Sequence, residues 1–236
     1  MKYLSAAVCA MAFFSVASFC HAGVIFGGTR IIYPADKNEV QLPIKNKDDD
    51  TRHLVQSWVS QPDGTKAPFI VTPPLLKLNE KQETILHIVY TGPKELTNDR
   101  EKLFTLNIKT VANVPEQLQD KSRLQIAIHS QVKLFFRPQT FTQHDADTAW
   151  EKVTFSREGN MLRVKNPTPF FISFTSLTVG GKKTMPIDKT LTPAQALMVS
   201  PLSNMTMVIP TGATGSVKWS AINDYGGTTT EKMQPL

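Results

Sequence analysis

Four histidines lie beyond residue 22: His53, His87, His129 and His144. No two of them stand at i, i+2 or i, i+4, so any metal site would have to be assembled from distant segments. Metal-protease, nucleophile-elbow, dinucleotide and complete phosphate-loop motifs are absent. Gly180-Gly181-Lys182-Lys183-Thr184 has phosphate-loop composition but lacks the upstream glycine. It reads as a turn between strands. Asp48-Asp49-Asp50 lacks the DxDxDG-like spacing of a calcium loop and reads as a solvated turn. Asn204-Met205-Thr206 is a sequon inside an expected strand, which makes it a coincidence. The residue types therefore predict no catalysis, no metal and no cofactor.

The elements that carry these residues come from composition and periodicity. The chain has 236 residues and a net charge of +6. Lys2, an apolar run from Leu4 to Phe19, and Cys20-His21-Ala22 before Gly23 form a secretory signal peptide, residues 1–22. A membrane anchor fits less well, because the run is short and no basic stop-transfer cluster follows. Cleavage leaves 214 residues at net charge +5, and both cysteines, Cys9 and Cys20, leave with the signal. The mature chain then has no thiol nucleophile and no disulfide. Charges of both signs are interspersed, and no basic stripe with interleaved aromatics marks nucleic-acid binding.

The dominant period is two. Val40, Leu42 and Ile44 alternate with Gln41, Pro43 and Lys45, and Leu54 and Trp58 share parity. Pro62-Asp63-Gly64, Pro73-Pro74 and Gly92-Pro93 punctuate short β-rich runs, the pattern of an antiparallel sandwich. Pro93 to Asp99 could hold one helical turn. The longest strand signal runs from Leu124 to Phe136, with Leu124, Ile126, Ile128, Val132, Leu134 and Phe136 on one row. Thirteen residues at about 3.3 Å each span roughly 43 Å, twice an ordinary strand. Gln139 to Thr148 is polar and reads as a linker. A second β-rich block follows from Trp150 to Trp219. The fold class is all-β: two immunoglobulin-like β-sandwich domains with a cleft between them, over 23–140 and 141–236.

Particular segments bear a family likeness. They are Gly28-Thr29-Arg30, Thr72-Pro73-Pro74, Asp99-Arg100-Glu101, Gln125-Ile126-Ala127 and Val132-Lys133-Leu134-Phe135-Phe136-Arg137-Pro138. In the second half they are Asn166-Pro167-Thr168-Pro169-Phe170-Phe171 and Asn223-Asp224-Tyr225-Gly226-Gly227. In this order, spanning nearly all the mature chain, they resemble the periplasmic chaperones of the chaperone–usher pathway, which fold and cap pilus subunits. Thr97 stands where that family often has proline, and Asn113-Val114-Pro115-Glu116 departs from its usual loop. The short, cysteine-free stretch between Val111 and Leu124 resembles the short-loop subgroup.

The resemblance implies a non-enzymatic protein of the periplasm. Its partners would be pilus subunits and an outer-membrane usher. Leu124, Ile126 and Ile128 would be the donor row that fills a subunit's open groove by strand addition. Three buried aliphatic side chains are worth about 5–9 kcal/mol before ordering costs. Without the resemblance, parity alone favours ordinary core for these three. Arg30 and Lys133 would grip the subunit's terminal carboxylate and fix the register of the added strand. Glu101, Arg137 and Asp224 would form a structural ion network across the two domains. If exposed, such a network contributes little energy, and its value lies in orientation. Phe170-Phe171 is expected to be core and turn, with no site. An exposed apolar edge also raises the expectation that the free protein caps itself as a homodimer. A ligand-binding sandwich would need clustered aromatics, and Trp58, Trp150 and Trp219 are scattered.

Overall fold

A computed structural model describes residues 23–93, 99–114, 122, 124–188, 190–191 and 193–236. The signal segment 1–22, the turn expected after Pro93, Thr97 and most of the loop before Leu124 lie outside the described residues. No described helix is long and apolar enough to cross a membrane.

The first half is built from β1 (Val24–Phe26), β2 (Arg30–Pro34), β3 (Val40–Asn46), β4 (His53–Ser60), β5 (Phe69–Thr72), β6 (Leu75–Leu78), β7 (Glu83–Tyr90), β8 (Lys102–Ala112) and β9 (Ala127–Arg137). They form two sheets, β1-β3-β7-β5 and β2-β9-β8-β4-β6. In β4 every second side chain from His53 to Val59 is buried, so one face of the sheet meets the core and the other meets water. Leu86, Ile88, Leu106, Ile108 and Leu134 are fully buried between the sheets. Tyr33 stacks on Phe136 at 5.7 Å, and Phe69 meets Phe104 edge-on at 5.0 Å.

The second half is built from β10 (Thr154–Glu158), β11 (Met161–Asn166), β12 (Ile172–Val179), β13 (Lys182–Lys183), β14 (Met185–Pro186), β15 (Met198–Val199), β16 (Ser203–Val208), β17 (Ser216–Ala221) and β18 (Lys232–Pro235). Its sheets are β10-β11-β16-β14 and β13-β12-β17-β18, with β15 on β12. A separate core gathers around Leu162, Val164, Val179 and Val217, with Phe155 4.6 Å from Trp219. The all-β reading and the pair of sandwiches hold.

Three local expectations do not hold. The polar stretch after Gln139 is not a linker throughout, because Gln143–Ala149 is a helix, α1. Thr142 caps it by accepting from the Asp145 amide, while the Asp145 carboxylate accepts from the Thr142 amide. Phe141, Ala146 and Ala149 then anchor α1 on the second core. Trp150, expected at a strand position, opens a 3-10 turn. The long strand also begins at Ala127 and not at Leu124. Its ladder to β8 ends at the pair Val111–Ala127, so among the described residues Leu124 and Ile126 have no strand beside them.

Leu106 is fully buried on β8 between the sheets. Leu106→Ala removes most of its side chain from a close-packed core and should lower unfolding free energy by about 2–5 kcal/mol. Denaturant titration of the mature chain measures this directly, with an unchanged slope expected.

Candidate functional site

The strand β9 organises the site, because each parity of its side chains faces a different environment. Leu124, Ile126, Ile128, Val132, Leu134 and Phe136 share one row. Its C-terminal half is core: Val132, Leu134 and Phe136 are at most 5% exposed. Its N-terminal half is bare: Leu124, Ile126 and Ile128 are 86%, 66% and 58% exposed. The core reading of these three, favoured by parity alone, therefore fails. Nothing among the described residues covers the row.

The backbone edge of the same segment is open. From Lys133 to Arg137, β9 is flanked by β8 on one side and by parallel β2 on the other. From Ala127 to Val132 it pairs with β8 alone among the described residues. An edge that exposes both unpaired backbone groups and large apolar side chains is a template for another strand. The open stretch ends where β2 begins, at Arg30 opposite Lys133.

These two cations sit side by side because parallel neighbours lie about 4.8 Å apart. Arg30 reaches across to the second domain. Its Nη1 donates to Ile222 O at 2.8 Å and Asn223 O at 3.1 Å, and its Nη2 donates to Ser173 Oγ at 3.0 Å. Its guanidinium carbon lies 4.9 Å from the centroid of the Phe135 ring. The Lys133 ammonium lies 3.3 Å from Met198 Sδ. Burial, reinforced by the neighbouring Arg30 charge, lowers the Lys133 pKa to about 8.

Glu101, Arg137 and Asp224 do form one network. Arg137 Nε donates to Glu101 Oε1 at 2.8 Å, and its two Nη groups donate to Asp224 at 2.7 and 2.9 Å. The network is buried and not exposed: Glu101 is 4% and Arg137 7% exposed. Its energetics are therefore those of a buried pair, in which removal of one partner strands an uncompensated charge. Burial pushes the Glu101 carboxyl above the ordinary carboxylate range, against the pull of Arg137 and the Phe171 amide. At Asp224 burial also acts upward, but the Arg137 fork outweighs it and holds the carboxyl below its ordinary value.

The sequence reading missed several members. Phe171 N donates to Glu101 Oε2 at 2.9 Å, and the Arg137 guanidinium carbon lies 5.3 Å from the centroid of the Phe170 ring. Phe170-Phe171, expected to have no site, thus line the network. The reason is local. Buried Asn166 donates to Phe170 O and Ser200 O and accepts from the Thr168 amide and hydroxyl, which locks the turn. Gln143 on α1 donates to Asp224 at 2.9 Å. Gly226, at φ +83°, lies so close to Thr29 that a Cβ would stand 2.6 Å from Thr29 Oγ1. The signals for these were single polar residues in turn motifs, which periodicity does not register.

The histidines do not converge on a metal. Among the described residues no cluster of three or more metal-ligating side chains exists. Asp48, expected to be solvated, is instead largely buried and lies 2.7 Å from His53 Nε2.

The fold and site define a protein of two β-sandwiches with a cationic cleft between them and an open, apolar strand edge that runs into that cleft. Family models agree in both halves. The N-terminal domain of the pili and flagellar-assembly chaperone PapD matches residues 23–142, and the C-terminal domain of the pili assembly chaperone PapD matches residues 148–233. The chain belongs to this family of pilus assembly chaperones. A probable fimbrial chaperone, SfmC of Escherichia coli K12, is 38% identical over 91% of this chain and 89% of its own. The chaperone protein FimC of the same strain is 37% identical over 91% and 85%. The crystal structure of the E. coli chaperone DraB aligns at TM-score 0.76 with 34% identity, covering 91% of this chain and 98% of that one. The Salmonella enterica chaperone SafB, solved in complex with the SafA pilin, aligns at TM-score 0.76, also with 34% identity, covering 91% and 96%.

Arg137→Ala leaves Glu101 buried without its ion-pair partner and should cost about 3–5 kcal/mol, read by denaturant titration. The double variant Glu101→Gln with Arg137→Met removes both charges and should recover part of that loss.

Proposed function

We propose that this chain holds pilus subunits in the periplasm by adding a strand to them and hands them to an outer-membrane usher. One observation carries the reading. The exposed row Leu124, Ile126 and Ile128 and the open edge of β9 both lead to the cation pair Arg30 and Lys133. A subunit strand lying along β9 in the direction of β2 would bring its C-terminal carboxylate to these two side chains. Arg30 would orient it through donors not spent on the second domain, and Lys133 would supply the mobile charge. The Glu101–Arg137–Asp224 network is assigned a structural role: it sets the cleft and does not touch the subunit. The working domain extents are 23–140 and 141–236, after a signal peptide of 22 residues. No step of this reading needs a nucleotide, a metal or a covalent bond. The family relationship and the pilin-bound structure of SafB support the subunit as partner.

Two measurements test it. Tagged mature protein should capture small β-rich secreted subunits from periplasm, identified by mass spectrometry, and Lys133→Ala should lose them. Undiminished capture by the variant refutes the anchor. A peptide of alternating apolar residues with a free carboxylate should also bind more tightly than its C-terminal amide. Because the Lys133 ammonium loses its proton as pH rises through about 8, that preference should shrink between pH 7 and 9.5. The amide's affinity should stay flat. A carboxylate preference independent of pH removes Lys133 from the anchor.

The free protein offers the same bare row, and we assign a self-capping homodimer as its resting state at high concentration. A monomeric mass in ultracentrifugation at such concentrations overturns that assignment.

A further inference from the structure

The bare half of β9 poses a physical problem. Among the described residues its apolar row has no core to pack on, and one of its backbone edges is open. A segment held by a single ladder should fray, because fraying termini and edges open at nearly no free-energy cost. A frayed donor would have to be ordered at the moment of binding, at about 1–2 kcal/mol per residue of backbone entropy. Something must hold this segment extended before a partner arrives.

The opposite row of the same strand supplies the contact. His129 and Gln131 alternate with the bare residues and point to the outer face of the sheet. The His129 ring stacks on Trp58, with centroids 5.4 Å apart and an interplanar angle of 26°. Trp58 belongs to β4, two strands away, so the two rings meet over the intervening strand β8. Beneath them lies Asn107 of β8, a polar residue on the outer face that is nevertheless only 3% exposed. Asn107 Oδ1 is 3.0 Å from His129 Nε2 and accepts from Gln131 Nε2 at 3.3 Å. Asn107 Nδ2 donates to Ser60 Oγ at 3.0 Å and to Thr105 O at 3.1 Å. A buried amide with all these bonds made costs nothing to keep and much to expose. The cluster therefore ties β9 to β8 and β4 at the level of Ile128, on the face away from the bare row.

We infer that Trp58, Asn107 and His129 form a clamp that holds the donor segment extended and flat, so that its apolar row is presented ready-made to a subunit. They are positioning residues: none of them faces the incoming strand. The inference rests on the strand-addition reading for its purpose, but the clamp itself is a property of the free chain.

Amide hydrogen exchange in the free mature protein separates the two levels. Trp58→Ala and His129→Ala should raise exchange at Ala127–Gln131 roughly tenfold. Exchange at Leu134–Phe136 and the thermal midpoint should stay as in the wild type. His129→Gln, which keeps a donor for Asn107, and Trp58→Phe, which keeps a ring, should each restore much of the protection. Unchanged exchange at Ala127–Gln131, or loss of protection throughout the first domain, overturns the clamp. Binding of the alternating apolar peptide with a free carboxylate is then measured on the same variants. The clamp predicts several-fold weaker binding of both the carboxylate peptide and its amide, with their ratio preserved. A changed ratio, or unchanged binding despite faster exchange, overturns the positioning role. If neither peptide binds the wild type, the strand-addition reading fails, and with it the purpose given to the clamp, while exchange still decides whether the clamp exists.

Discussion

The guanidinium of Arg137 is the one ionic group bonded to carboxylates of both sandwiches among the described residues. It leaves the end of β9, takes Glu101 from just before β8, and closes a two-pronged fork on Asp224 of the second domain. Being planar, with fixed donor directions, it dictates an orientation as well as an energy. The network is buried, so its worth is small as a pair and large as a commitment: neither sandwich can turn away without stranding a charge. The loop around Asp224 is held from several sides, by Arg137, by Gln143, by the Arg30 bonds to its neighbours and by the close approach of Gly226 to Thr29. The β2–β9 pairing keeps Arg30 and Lys133 together although like charges repel.

One strand carries nearly all the elements assigned a role. On β9 the row that includes Ile128 and Leu134 is apolar except for Ser130, and the row that includes His129, Lys133 and Arg137 is polar except for Ala127 and Phe135. The first row passes from bare to buried as it enters the sandwich. The second passes from the outer face of the sheet into the cleft. Alternation lets one backbone serve both purposes without conflict, because neighbours in sequence point to opposite sides. It also sets a register: a one-residue slip of β9 would drive Lys133 into the core and the aliphatic row into water.

The two asparagine-locked turns show how local chemistry becomes long-range geometry. Asn46 and Asn166 are both essentially buried, and each donates to a backbone carbonyl a few residues on and to one in a distant segment. At Asn166 the result is a rigid turn that offers the Phe171 amide to Glu101. Buried amides of this kind are costly unless fully bonded, and here the bonding itself orders the loops.

Much of this was legible in the sequence. Period two, turn residues and the length of the Leu124–Phe136 run follow from the chain alone, because side-chain direction in a strand is fixed by its position. The family likeness, carried by short motifs in a fixed order, supplied the names of Arg30, Lys133, Glu101, Arg137 and Asp224. Other things were decided only in three dimensions. Parity put Leu124 and Leu134 on one row and could not say which of them is covered, since coverage depends on what lies across from each. The Thr142–Asp145 capping box turned a polar stretch into helix α1 once the second core was there to receive Phe141 and Ala146. The burial of the ion network, the locking of Phe171 to Glu101 and the meeting of Trp58 with His129 join residues 36 to 87 positions apart. Sequence order holds no record of such distances, because they are fixed by how strands are laid side by side and how two sandwiches meet.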